Sequence, residues 1–65
     1  MNAEELAKFF HDTYERLAPQ YQYKTREDSA VPWEDVPADN KALMIATAGE
    51  VLRKLNVEPE GASRD

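Results

Sequence analysis

The chain has 65 residues, with eight Lys and Arg against thirteen Asp and Glu, one His, no Cys and a formal charge of −5. Such a length holds one small domain whose single core contributes no more than about 3–5 kcal/mol. The absence of Cys and the lone His exclude a disulfide staple and a thiolate or multi-histidine metal site. An acidic balance without clustered Lys and Arg excludes a phosphate-tracking surface, so neither DNA nor RNA is an expected partner. Mimicry of nucleic acid is disfavoured as well, because Lys8, Arg16, Lys24, Arg26, Lys41, Arg53 and Lys54 interrupt the acidic residues.

The first predicted element is a helix over Ala3–Leu17. Leu6, Phe9, Phe10, Thr13, Tyr14 and Leu17 recur at spacings of three and four, which gathers them on one face. Asn2 followed three residues later by Glu5 fits a capping pair. Pro19 is expected to stop the helix by pushing Ala18 out of the α region.

Residues 19–36 keep neither a 3.6 nor a 2 periodicity. Tyr21 and Tyr23 alternate with polar neighbours, which suggests one short extended piece with both rings on the same side. A charged turn follows at Thr25-Arg26-Glu27-Asp28-Ser29. The segment Ala30-Val31-Pro32-Trp33-Glu34-Asp35-Val36-Pro37 then holds the only Trp between two prolines, each of which fixes φ near −65°. A connection this long in a compact domain is functional or disordered. Its aromatics and prolines favour a loop packed on the helices.

A second helix is expected from Pro37, with Asp39 in its first turn and Arg53 and Lys54 in its last, all of favourable sign for the helix dipole. Met44, Thr47, Ala48, Val51, Leu52 and Leu55 form its predicted apolar face. Ala48 and Gly49 are small enough to admit a close neighbour. Asn56 and Pro59 mark the expected end, and 58–65 read as a disordered polar tail beyond a single domain at 1–57. The predicted fold is all-α: a two-helix hairpin with a long aromatic and proline-rich loop packed across it. Two helices alone leave apolar surface uncovered, so completion by homo-oligomerisation, as a dimer or larger, is expected.

The start of the chain, Met1-Asn2-Ala3-Glu4-Glu5, lacks the basic and apolar regions of a signal peptide. No apolar run nears the roughly 20 residues that span a bilayer. The expected location is therefore the cytoplasm, with no membrane partner, and the lack of Cys agrees with a reducing compartment.

His11 to about Val57 resembles the ryanodine-receptor repeat, a small helical domain also found alone in bacteria and phages. His11 and Tyr14 match its His-x-x-aromatic, and Tyr23-Lys24-Thr25-Arg26-Glu27-Asp28 matches its tyrosine followed by Arg and Asp. Val31-Pro32-Trp33-Glu34-Asp35-Val36-Pro37 matches its Val-Pro-aromatic segment. Lys41 and then Thr47-Ala48-x-Glu50-x-Leu52 follow in the family's order. The chain departs from the pattern at Lys24, where the family has Gly, in a shorter loop without a His-Pro pair, and in lacking a C-terminal Gly-Tyr extension. The resemblance implies a non-catalytic module for a nucleotide-derived signal, either an adenine nucleotide or an ADP-ribose-like molecule. It also implies a site between two copies and a bacterial or phage-infected cell as the setting.

The candidate ligand-binding residues are Trp33, Tyr23, Arg26, Lys41, His11 and Tyr14, each with a plainer reading beside it. Trp33 can stack on a purine, but in so small a protein it is also the natural core anchor. Tyr23 can offer its ring to a ligand or simply cover the core. Arg26 offers a planar fork to phosphate or pairs with Glu27, Asp28 or Glu34. Lys41 reinforces an anion at a helix N-terminus or is merely solvated. His11 makes a structural hydrogen bond to the loop or to Glu50, or lines a site with Tyr14. No nucleophile–base pair, paired-carboxylate motif or Gly-rich phosphate loop is present, so no catalytic residue, metal or cofactor is expected. The alternatives are a protein-interaction adaptor, such as a phage or prophage protein blocking a host factor, and a purely structural helical oligomer.

Overall fold

The computed structural model describes residues 1–62, with side chains through Asn56. Two α-helices, α1 (Ala3–Leu17) and α2 (Ala38–Ala62), are joined through two short 3-10 turns at Ala18–Tyr21 and Trp33–Asp35. Among the described residues there is no strand. The N-terminus of α1 carries the predicted capping box. The Asn2 side chain accepts from the Glu5 N–H at 2.8 Å, and the Glu5 carboxylate accepts from the Asn2 N–H at 2.9 Å.

The exit from α1 differs from the expectation. Ala18 keeps a right-handed helical conformation (φ −51°, ψ −46°) despite the proline after it. The helix tightens into a 3-10 turn instead of breaking, with Pro19 at the turn's start, where a missing N–H costs nothing. Gln22 adopts a left-handed conformation at φ 58°. The Tyr23 N–H then donates to the Ala18 carbonyl at 2.9 Å. The extended Tyr21–Tyr23 piece is therefore absent, and the two rings do not share a strand face. The charged segment does turn as predicted: the Ser29 and Ala30 N–H groups both donate to the Arg26 carbonyl, at 3.0 and 2.9 Å.

The Val-Pro-Trp segment folds into the second 3-10 turn, closed by Asp35 N–H to the Pro32 carbonyl (2.8 Å) and Val36 N–H to the Trp33 carbonyl (3.1 Å). Val36 is extended (φ −65°, ψ 132°), as the following proline requires. Pro37 lies just outside α2, which starts one residue later than predicted, and its carbonyl accepts from the Lys41 N–H.

α1 and α2 run antiparallel, with Gly49 beside Ala3 and the middle of α1 against the first half of α2. The buried core is Ala7, Trp33, Val36 and Ala48, with Ala3, Leu6, Val31, Met44 and Ile45 packed around it. This rotates both predicted faces. On α1 the buried line runs through Ala7 and His11, four residues apart, whereas Phe9, Phe10 and Tyr14 are exposed. Adjacent residues on a helix point about 100° apart, so Phe9 and Phe10 cannot both centre on one seam. Small Ala3 and Ala7 let the helices close in where a Phe would hold them apart. On α2 the inner face is Met44, Ile45, Ala48 and Leu52, while Thr47, Val51 and Leu55 face outward.

α2 also continues past Asn56 and Pro59 to Ala62. A proline there removes the hydrogen bond to the Leu55 carbonyl, and because Leu55 is exposed, water can replace it. The side chains from Val57 onward and all of residues 63–65 lie outside the described residues. So does the question of an unstructured tail at 58–65.

Candidate functional site

The six candidate residues separate into an interior group and a surface group. The interior group is His11, Trp33 and Lys41. Trp33 is only 6% exposed and His11 only 3%. Their rings meet at 5.8 Å between centroids, tilted by 55°. The Lys41 Nζ stands 5.0 Å from the Trp33 ring centroid, a cation–π contact that caps an indole face. His11 Nε2 lies 2.7 Å from the Val31 carbonyl. A carbonyl only accepts, so Nε2 carries the proton in this bond. These three residues fasten the Val-Pro-Trp turn to both helices. Trp33 is thus the core anchor, with little area left for a ligand to stack on.

The surface group is Tyr14, Tyr23 and Arg26. α1 supplies Tyr14 and, one turn earlier, Phe10, whose rings lie near-parallel with centroids 5.9 Å apart. Tyr23 comes from the irregular segment after Gln22 and meets Tyr14 edge-on at 6.3 Å. The left-handed Gln22 aims the chain back toward α1. The Thr25 hydroxyl, donating to the Glu15 carboxylate at 2.8 Å, holds it there. Arg26 follows, and the Asn40 amide donates to the Ser29 hydroxyl at 3.3 Å to fix the far wall against α2. The result is an open cleft of about 240 Å³, with Phe10, Tyr14, Tyr23 and Arg26 along it and His11 and Met44 at its base.

The chemistry of this cleft is aromatic, with one cation, Arg26, and one carboxylate, Glu15, in its lining. Phe10, Tyr14 and Tyr23 are 61%, 45% and 58% exposed, so their rings face solvent instead of serving the core. The Tyr14 hydroxyl is held above the usual phenol range, first by desolvation and then by the Tyr23 hydroxyl and the Glu15 carboxylate beside it. Tyr14 therefore stays a neutral hydrogen-bond donor through the physiological range. Among the described residues Arg26 makes no ion pair, whereas Lys8 pairs with Asp12 and Arg53 with Glu50. The anticipated pairing of Arg26 with Glu27, Asp28 or Glu34 is not formed. Beyond Tyr23 a shallower hollow of about 430 Å³ opens, bordered by Pro19, Gln22 and Lys24.

The structure thus brings together His11, Tyr14, Tyr23 and Arg26, and sets Trp33 and Lys41 apart as scaffold. Phe10, Ser29 and Asn40 join the cleft without having been singled out in the sequence. The Phe9-Phe10 pair is the one signal that could have found Phe10, since one of two adjacent rings must leave the seam. No group of three or more His, Cys, Asp or Glu side chains able to hold a metal ion occurs among the described residues. No helix among them is long and apolar enough to cross a membrane.

Comparison with family models, with curated proteins and with solved structures found no match to this chain. The likeness to the ryanodine-receptor repeat accordingly rests on the residues quoted above.

Proposed function

We propose that this chain is a non-catalytic binding module whose cleft takes the base of a nucleotide-derived ligand, such as an adenine nucleotide or an ADP-ribose-like molecule. One observation carries the reading: three solvent-facing aromatic rings share a cleft with an arginine that forms no ion pair, the one carboxylate in the lining, Glu15, accepting instead from Thr25. Aromatic faces stack on a base, and a free guanidinium offers a bidentate fork to phosphate. A cleft of about 240 Å³ suits a base rather than a whole dinucleotide. The adjoining hollow, lined by Lys24 together with Glu15 and Glu27, gives the ribose of the ligand somewhere to lie. The resemblance to the ryanodine-receptor repeat supports the same ligand class, a homo-oligomeric assembly, and the cytoplasm of a bacterium or an infected bacterial cell.

Relative to the sequence-based assignment, Tyr14, Tyr23 and Arg26 become the contact residues and Phe10 joins them. Trp33 and Lys41 act through the fold. The test is isothermal titration calorimetry with ADP-ribose, ADP and ATP against wild type, Tyr23→Ala, Arg26→Ala and Lys54→Ala. Loss of one stacking ring costs about 1–3 kcal/mol, roughly 5- to 150-fold in affinity. Tyr23→Ala and Arg26→Ala should each weaken binding within that range, and Lys54→Ala should not. No heat from folded wild-type protein with any of the three ligands would sink the reading.

A further inference from the structure

The aromatic cleft and the hollow beyond Tyr23 share one wall. Glu15, Tyr23 and Thr25 line both, whereas Arg26 lines only the cleft and Lys24 and Glu27 only the hollow. The wall is built from two parts of the chain. Glu15 comes from the last turn of α1 and Thr25 from the irregular segment that follows Gln22. The Thr25 hydroxyl donates to Glu15 Oε1 at 2.8 Å, and both side chains are half-buried. That bond holds the carboxylate on the crest between the two concavities. Any ligand that occupies both must pass over it.

An ionised carboxylate has about four lone-pair sites and no proton to give. Thr25 takes one of them, and Glu15 makes no ion pair among the described residues. The crest is therefore an acceptor with capacity to spare, and its neighbours limit what can use it. A cationic ligand group there would lie between Lys24 in the hollow and Arg26 in the cleft. A phosphate would lie against Glu15 and Glu27. Both arrangements set like charge beside like charge. What remains is a neutral donor, and in a nucleotide the neutral donor beside the base is the ribose diol.

We infer that Glu15 is the specificity-determining residue of this site, its carboxylate accepting from the 2′- and 3′-hydroxyls of the ligand's ribose. Glu15 has this role only where the cleft takes a nucleotide base, as proposed above. The ligand class then narrows to ribonucleotides with a free diol. A 2′-deoxyribonucleotide loses a donor, and a 2′- or 3′-phosphate adds a charge that the crest repels. Dinucleotide-binding folds sort their ligands by the same chemistry: an acidic side chain takes the bare ribose, and an arginine accommodates the phosphorylated one. Here the acidic side chain stands on the shared wall, and Arg26 stays on the cleft side.

Isothermal titration calorimetry of the full chain with ADP, 2′-deoxy-ADP and the 3′-phosphate of ADP is the test. A hydrogen bond to a charged group is strong enough that loss of the 2′-hydroxyl should weaken wild-type binding at least about tenfold. The 3′-phosphate should bind more weakly still. Glu15→Gln keeps the size of the side chain and can still accept from Thr25, but its other terminal atom donates. It should bind ADP less tightly than wild type and the 3′-phosphate more tightly. Glu27→Gln, which alters the hollow away from the crest, should leave the ratio of ADP to 2′-deoxy-ADP unchanged. Equal wild-type affinity for ADP and 2′-deoxy-ADP overturns the role of Glu15 and leaves the nucleotide reading standing. So does a Glu15→Gln protein that loses affinity for all three ligands alike, since Glu15 then only holds the Thr25 segment in place. Where Glu15→Gln fails to fold, the wild-type ratios decide. If folded wild type takes up none of the three, the nucleotide reading fails and the role of Glu15 falls with it.

Discussion

Trp33 owes its position to two neighbours of different chemistry, the His11 ring at 5.8 Å and the Lys41 ammonium at 5.0 Å. Replacing a buried Trp by Ala costs about 3–5 kcal/mol, as much as a single core of this size supplies. Trp33→Ala should therefore be largely unfolded by far-UV circular dichroism at 25 °C, while Trp33→Phe keeps its helices. A Trp33→Ala protein with a full helical spectrum and a cooperative melt would contradict the core role. Tyr14 makes a separate prediction. Its folded-state pKa is raised above the ordinary 10.0, so the folded protein holds this proton more tightly than the unfolded chain. Stability tied to it is then fully present below pH 10.0 and is lost as pH rises through the folded value. Phenolate absorbance near 295 nm should show one tyrosine ionising later than the others, and Tyr14→Phe should remove that late phase. A Tyr14→Phe titration that retains it would assign the shift elsewhere.

At the level of elements, the close approach of α1 and α2 depends on small side chains, but Gly49 is smaller than the contact needs. A β-carbon built there meets the Ala3 methyl at 3.8 Å, an ordinary van der Waals distance. Glycine within a helix costs roughly 0.5–1 kcal/mol relative to alanine. Gly49→Ala should thus stabilise the protein by that amount and raise its melting midpoint by about 2–8 °C. An unchanged or lower midpoint would mean that the helices cannot accept one more methyl. The capping box of α1 was plain from Asn2 and Glu5, since it depends only on residues three apart. The end of α1 was harder, because whether Pro19 breaks the helix or tightens it depends on the turn that follows. That turn closes through Tyr23 and a left-handed Gln22, which a pattern of alternating residues does not disclose.

For the molecule as a whole, exposed apolar side chains such as Phe9, Phe10 and Leu43 and the acidic surface act in opposite directions on self-association. A folded dimer gains stability from mass action, so its melting midpoint should climb with protein concentration. A midpoint flat from 5 to 500 µM would indicate that the melting species is a monomer. Added salt should raise the fraction of any dimer, because screening weakens the repulsion between two chains of −5.

The sequence alone determined the two helices, the cap of the first, the charged turn and the stiff Val-Pro-Trp corner. Each of these follows from local spacing or from a dihedral fixed by proline. Only the tertiary structure decided which way the helices face. Periodicity weighs Phe9, Phe10 and Tyr14 by their hydrophobicity, whereas packing put Ala7 and His11 inside because small residues and a hydrogen bond to Val31 bring the elements closer. The same rotation moved Trp33 and Lys41 into the scaffold and left Phe10, Tyr14 and Tyr23 on the surface beside Arg26. Long-range packing chose the candidate site, and no local spacing encodes that choice.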